Sequence, residues 1–171
     1  IIDYVNLGST GLEVSQLCLG TWRFGKETGG VIETDEKEAH EVRNAAKEAG
    51  INFIDSADEY GTPRGRSEKI IGDWLNNQKR EDFVLASKVY FPFKDKPNRG
   101  GLSRKHIRAQ IEGSLNRLGT DFLDIYYIHR WDNNTPIEET LYTLNELVEK
   151  GLVYYLGASK MAAWQLIKAL W

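Results

Sequence analysis

The chain has 171 residues, with 22 lysines and arginines against 25 aspartates and glutamates, for a formal charge of −3. With 41% hydrophobic and 27% charged residues it can bury one sizeable core, which excludes a disordered chain and leaves too little for two full-sized domains. The mild acidity argues against a nucleic-acid partner, and a single cysteine, Cys18, excludes an internal disulfide or a cysteine-based zinc site.

In chain order, Tyr4 to Leu7 and Leu12 to Val14 read as two short strands around the turn Gly8-Ser9-Thr10-Gly11. Leu17 to Gly20 reads as the first buried strand. A helix from Asp35 to Ala49 follows, with Thr34 as its N-cap, Gly50 as its stop, and Ala39, Val42, Ala45, Ala46 and Ala49 as its apolar face. Asn52 to Asp55 is the second strand, and Ser67 to Asn76 a helix bearing Ile70, Ile71, Trp74 and Leu75. Phe83 to Ser87 is the third strand. Ser103 caps a helix carrying Ile107, Ile111, Leu115 and Leu118, and Phe122 to Ile128 is the fourth strand. Thr135-Pro136-Ile137-Glu138 has the spacing of a capping box opening a helix that runs to Lys150 and stops at Gly151. Val153 to Gly157 is the fifth strand, and a last apolar-periodic helix runs from Ala162 to Trp171.

Near-continuous apolar strands alternating with helices predict a parallel sheet covered by helices. Two architectures fit: a complete five-stranded doubly wound sheet, or the first half of a (β/α)8 barrel, which normally needs about 250 residues. The chain opens at Ile1 and stops at Trp171 inside a helix without a stop signal, so residues 1–171 are expected to be a single-domain piece of a longer protein, cut at both ends. Residues 1–171 show no basic-then-apolar stretch at their start and no membrane-length apolar run. The expectation is a cytoplasmic protein with no membrane partner.

In either architecture the C-terminal ends of the strands share one rim, where ligands bind. Those ends carry Gly20-Thr21-Trp22, Asp55, Lys88, His129 and Ser159, with Tyr60 a few residues beyond Asp55. Each alone has an ordinary structural reading: a turn acid, a solvated lysine, a satisfied histidine, a packing tyrosine. Their convergence on one level favours a site. Its chemistry is narrow, because no nucleophile elbow and no metal-ligand spacing is present; a glycosidase pair of Asp55 with Asp58 or Glu59 would lack the usual separation on different elements. A Tyr–Lys–Asp set has a clearer use. A phenol titrates near pH 10, too high for proton transfer at neutral pH unless a neighbouring cation stabilises its anion. Tyr60 beside Lys88, with Asp55 orienting Lys88 and His129 bonding a carbonyl oxygen, could protonate a carbonyl while a nicotinamide cofactor delivers hydride. No Gly-x-Gly-x-x-Gly fingerprint is present, which argues against a Rossmann mode of binding.

At these residues the chain resembles the aldo-keto reductases. Leu7 to Ser15 is similar to their N-terminal hairpin, Leu19 to Trp22 to their first strand end, and Phe53 to Gly61 to the segment with their catalytic Asp and Tyr. Ala86 to Val89, Tyr127 to Asp132 and Leu156 to Ser159 resemble the strands carrying their Lys, His and carboxamide-binding Ser. Gly101 to Ile107 and the Pro136 to Thr140 run look closest to the branch holding voltage-gated potassium channel β-subunits and their microbial relatives. The resemblance implies a (β/α)8 barrel, here only its first five βα units preceded by the hairpin. It also implies NADPH-dependent reduction of small carbonyl compounds, with NADH left open and no metal. Under it, Asp55, Tyr60, Lys88 and His129 are catalytic, Tyr60 being the proton donor. Gly20, Thr21, Trp22, Asp55, Ser159 and Lys160 contact the cofactor; Trp22, Tyr60 and His129 line the substrate pocket. Lys160 stands where many members have Asn. Barrel strands six to eight have no counterpart in the chain, so weak turnover is expected for it alone, with self-association or completion by another chain through its open edges. The alternative implied by the same branch is a cofactor-sensing regulatory or scaffold subunit.

Overall fold

The computed structural model describes residues 2–93 and 95–170; Ile1, Lys94 and Trp171, the last closing the expected terminal helix, lie outside the described residues. The elements begin with β1 (Tyr4–Asn6), β2 (Glu13–Ser15), β3 (Cys18–Gly20), β4 (Glu27–Thr28), β5 (Val31–Ile32), α1 (Glu36–Glu48) and β6 (Phe53–Asp55). They continue with α2 (Arg66–Leu75), β7 (Val84–Val89), α3 (Arg104–Leu118), β8 (Leu123–Ile128), α4 (Ile137–Glu149), β9 (Val153–Ala158) and α5 (Ala163–Leu170). The small hairpin of β4 and β5 around Gly29-Gly30 is an addition to the expected elements.

The main sheet runs β3-β6-β7-β8-β9, parallel at every pair and in sequence order. A doubly wound sheet would reverse direction after its first strands, giving the order 2-1-3-4-5. The observed order is that of consecutive strands in a (β/α)8 barrel, and it decides between the two architectures.

Because side chains alternate along a strand, the sheet has two faces of different character. One bears Ile54, Leu85, Val89, Tyr126 and Ile128, which pack against Ile70, Ile71, Ile107, Ile111, Leu144 and Leu147 of the helices. Burying each such side chain contributes about 1.5–3 kcal/mol. The other, inner face bears Phe53, Val84, Ala86, Ile125, Tyr127 and Tyr155, and here the N-terminal hairpin supplies Val14, Leu7 and Leu12. The hairpin thus closes the floor of the sheet on the side the helices leave bare.

Several local expectations are corrected. Asp35, not Thr34, caps α1, its carboxylate accepting from the Glu38 N–H at 2.9 Å. On that helix Val42 is exposed, whereas Arg43 is buried and donates to the Ile70 carbonyl at 2.7 Å. The expected capping box of α4 does not form: Pro136 is the N-cap, and the Thr135 hydroxyl donates to Asp132 Oδ2 at 2.7 Å. Ser103 does cap α3, accepting from the His106 N–H. The first strand of the sheet is not buried. Leu17 is 60% exposed and Cys18 is open, because among the described residues β3 has a neighbouring strand on one side only. The opposite edge, β9, leaves Tyr154 and Leu156 exposed, and α5 buries none of its residues.

Candidate active site

Period-two alternation explains which side chains meet. In register, Gly20 pairs with Asp55, Asp55 with Ala86, and Lys88 with Tyr127. Gly20, Asp55 and Lys88 therefore share the inner face, and continuing the alternation past the strand ends adds Trp22, His129 and Ser159. The strand extensions are held by backbone bonds to their neighbours: the Thr21 N–H donates to the Asp55 carbonyl, the His129 N–H to Val89, and the Ser159 N–H to Ile128.

Lys88 is the hub. Its side chain is buried, and Nζ donates to Asp55 Oδ2 at 2.6 Å and to the Ser56 carbonyl at 2.7 Å. It also reaches the Tyr60 hydroxyl at 3.3 Å. Tyr60 sits on the loop between β6 and α2, where its own carbonyl accepts from the Gly65 and Ser67 N–H groups, fixing the ring over the strand ends. Gly61 takes a φ of 92°, a conformation that favours glycine, and an added Cβ there would meet the Ser67 nitrogen at 2.7 Å.

His129 is 3% exposed, packed edge-on against the rings of Tyr60 and Phe91 at centroid distances of 5.9 and 5.1 Å. Burial, with the charges of Lys88 and Lys160, pushes its pKa down to about 4. It is neutral throughout the physiological range and available as a hydrogen-bond donor that carries no charge. Nδ1 faces Glu59 Oε1 at 3.7 Å without a hydrogen bond.

The Tyr60 phenol behaves differently from the expectation that Lys88 lowers its pKa. Burial first, then the carboxylates of Asp55 and Glu59, push it well above the ordinary tyrosine value. The chief cause is burial, which penalises the phenolate, and the Lys88 ammonium at 3.3 Å does not offset it in the resting site. The resting tyrosine is therefore fully protonated, as a proton donor must be.

Thr21 requires a correction. Its parity puts it on the helix side: it is fully buried, its hydroxyl donates to the Asp55 carbonyl at 3.0 Å, and it accepts from Ser67 Oγ at 3.0 Å. It positions the Asp55 strand end and does not face the rim. The remaining cofactor candidates do. A Cβ on Gly20 would meet no atom within 4 Å, Trp22 is 52% exposed, and the Ser159 side chain is half-buried. Lys160 is exposed, with a φ of 50°. An open patch beside a half-exposed indole and a free hydroxyl fits the flat ring and carboxamide of a nicotinamide.

Beneath this set lies a polar layer that strand ends alone did not reveal. Glu68, fully buried on α2, accepts from Ser87 Oγ at 2.5 Å and from Arg117 Nε at 2.7 Å. Asp58 is also fully buried, and neither carboxylate oxygen has a hydrogen-bond partner among the described residues. Burial, reinforced by Glu68, holds its carboxyl well above the usual carboxylate range. Glu68 was findable from sequence, since it shares a helical face with the apolar Ile71 and Leu75.

The fold and this constellation define a class, and comparison with known proteins agrees. Residues 16–171 match the aldo/keto reductase family, and the chain belongs to it. It is 44% identical over 177 residues to a Bacillus subtilis protein named uncharacterized oxidoreductase YrpG, covering 98% of this chain and 52% of that protein. A probable voltage-gated potassium channel subunit beta of Oryza sativa subsp. japonica is 40% identical, over 98% of this chain and 49% of its own length. Norsolorinic acid reductase of Aspergillus flavus is 39% identical, over 94% of this chain and 43% of its own length. The chain thus spans about half the length of the curated relatives it matches. Among the described residues no helix is long and apolar enough to cross a membrane.

Proposed function

We propose that this chain is the amino-terminal half of an NADPH-dependent reductase that converts aldehydes and ketones to alcohols, with Tyr60 as proton donor. The observation that carries the reading is the Lys88 ammonium, shared among Asp55 at 2.6 Å, the Ser56 carbonyl at 2.7 Å and the Tyr60 hydroxyl at 3.3 Å. When bound, the nicotinamide supplies hydride; Gly20, Trp22, Asp55, Ser159 and Lys160 are the residues placed to hold it.

The chain's own residues handle the oxygen end of the carbonyl. Neutral His129 donates a hydrogen bond that orients the oxygen toward Tyr60. As the carbonyl becomes an alkoxide, a stronger base than phenolate, the Tyr60 proton transfers to it even though the phenol is weakly acidic. The phenolate charge is then born 3.3 Å from the ammonium of Lys88, which Asp55 holds in place at 2.6 Å. Fewer stabilising contacts are needed in the resting state than in the transition state, which is the condition for acceleration.

The exposed edges β3 and β9 and the exposed apolar face of α5 support completion by further barrel strands or by another chain. The relatives named as channel subunits favour a second reading, a cofactor-sensing subunit. NADPH-dependent aldehyde reduction by the full-length protein and by Tyr60→Phe separates the two. The reductase reading expects turnover that the substitution lowers by at least about 10²-fold; equal rates in both proteins would refute the site, and no turnover with retained cofactor binding would favour the sensor.

A further inference from the structure

The cavity beside Tyr60 carries more positive charge than a plain carbonyl needs. Its volume is about 370 Å³, and its walls include Trp22, Lys26, Glu59, Tyr60, Thr62 and Arg64. Lys26 lies on the face of Trp22, with Nζ 3.7 Å from the ring centroid, an arrangement that fixes the ammonium without neutralising it. Its nearest carboxylate, Glu33, stands at 4.0 Å and is paired more closely with Arg23 at 3.0 Å. Arg64 is exposed and takes part in none of the ion pairs among the described residues.

One carboxylate, Glu59, lines this cavity, and Arg64, Lys160, Lys88 and Lys26 all act on it. Lys88 is balanced by Asp55. Among the walls that leaves Lys26 and Arg64 against the single carboxylate of Glu59, with Glu33 4.0 Å from Lys26 and shared with Arg23, a local positive excess in a chain whose formal charge is −3. Glu27, the next acid along the chain from Lys26, does not line the cavity. Charges gathered at a cleft with low-dielectric walls attract an ion of opposite sign and raise its local concentration.

We propose that this cavity selects carbonyl substrates that carry a carboxylate, the carbonyl resting at Tyr60 and the carboxylate between Lys26 and Arg64. The inference rests on the reductase reading. An anion beside the reacting centre has two possible sources, the substrate or a phosphate of the cofactor. Two features favour the substrate. The proton donor Tyr60 is itself a wall of the cavity, and Ser159, the hydroxyl suited to the nicotinamide carboxamide, is outside it. The pairing also explains why Arg64 is not tied off by a surface carboxylate as Arg66, Lys69 and Arg108 are, and why Lys26 has one only at 4.0 Å.

The test compares 4-carboxybenzaldehyde with its neutral isostere methyl 4-formylbenzoate in the full-length protein, in Lys26→Gln, Arg64→Gln and the double variant. The parent should prefer the carboxylate by about tenfold or more in kcat/KM, with the preference shrinking as salt rises. The double variant should lose at least about fivefold more on the carboxylate than on the ester, mainly through KM. No preference in the parent, or equal losses on both aldehydes, overturns the proposal. A rise in the KM for NADPH instead of the aldehyde assigns the cations to the cofactor phosphate and also overturns it. If neither aldehyde is reduced, the reductase reading has failed, and terephthalate quenching of tryptophan fluorescence decides the charge inference separately. Quenching lost in the double variant supports an anion site there; identical titrations in both proteins refute it.

Discussion

Replacing Lys88 with methionine removes the ammonium while keeping most of the side-chain volume, and its effect can be worked from the distances. A full negative charge on the Tyr60 oxygen, 3.3 Å from Nζ, is stabilised by about 5 kcal/mol at an effective dielectric of about 20. If half that charge has developed at the transition state, about 2.5 kcal/mol is lost, which is about 70-fold in kcat. The same substitution leaves Asp55 without its cation. Because the Asp55 side chain is 30% exposed, water meets part of that loss, and the stability penalty should stay near about 1–3 kcal/mol. The two effects separate in the double variant Asp55→Asn with Lys88→Met, which restores a neutral site: unfolding stability should recover and kcat should not. Steady-state rates at saturating aldehyde and NADPH, set beside urea unfolding of the same preparations, give both numbers. A Lys88→Met protein whose kcat lies within threefold of the parent would refute the argument, since Lys88 would then be only a structural tie between β7 and β6.

Three further perturbations follow from the packing and the titrations. His129 is buried neutral with its pKa lowered from 6.5 to about 4, so the unfolded chain binds the extra proton first as pH falls. The stability this group supports is complete above pH 6.5 and is lost towards pH 4, by up to about 3 kcal/mol; urea unfolding of His129→Gln should lack that loss relative to the parent, and parallel curves would contradict it. Asp58 has the opposite sign. Its raised pKa means that its contribution is present below the ordinary aspartate value and declines as pH rises, so Asp58→Asn should gain on the parent with increasing pH and be the more stable protein at pH 7. A less stable Asp58→Asn at pH 7 would show a partner for those oxygens. Gly157 lies against the Tyr127 ring, where a Cβ would collide with it. Gly157→Ala should cost about 1–3 kcal/mol, and a Tyr127→Ala background should remove at least half of that in a double-mutant cycle.

How far the sequence spoke for itself differs between the face that does chemistry and the faces that pack. The strands were legible because each is a short apolar run bounded by turn residues, and their ends named the inner-face residues Asp55, Lys88 and His129 directly; the pattern alone left the strand order open between two architectures. Thr21 is not legible from a strand end alone, because alternation sends it to the helix side while its neighbours Gly20 and Trp22 stay on the inner face. Arg43 was invisible to an aliphatic count: its guanidinium is buried within 5.5 Å of both the Phe24 and Trp74 rings and donates to Ile70, a role no periodicity of alanines and valines can signal. At Thr135 the capping pattern is silent about competitors, and Asp132, three residues earlier, takes its hydroxyl.

The exposure of Leu17 and Cys18 is a different kind of difference. Their apolar sequence asks for burial, and β3 has no neighbour beyond it to provide it. The same holds for Leu156 on β9 and for Ile167 and Leu170 on α5. Sequence and structure disagree along these two edges together, whereas Asp55, Tyr60, Lys88 and His129 come together with partners drawn from β6, β7 and the neighbouring loops. The geometry around Lys88 is therefore locally determined, its partners coming from β6 and the loop that follows it. Stability is not, because an unpaired strand edge at each end of the sheet invites any strand that can pair with it. Completing the sheet should consequently raise the stability of the fold far more than it alters the distances around Lys88.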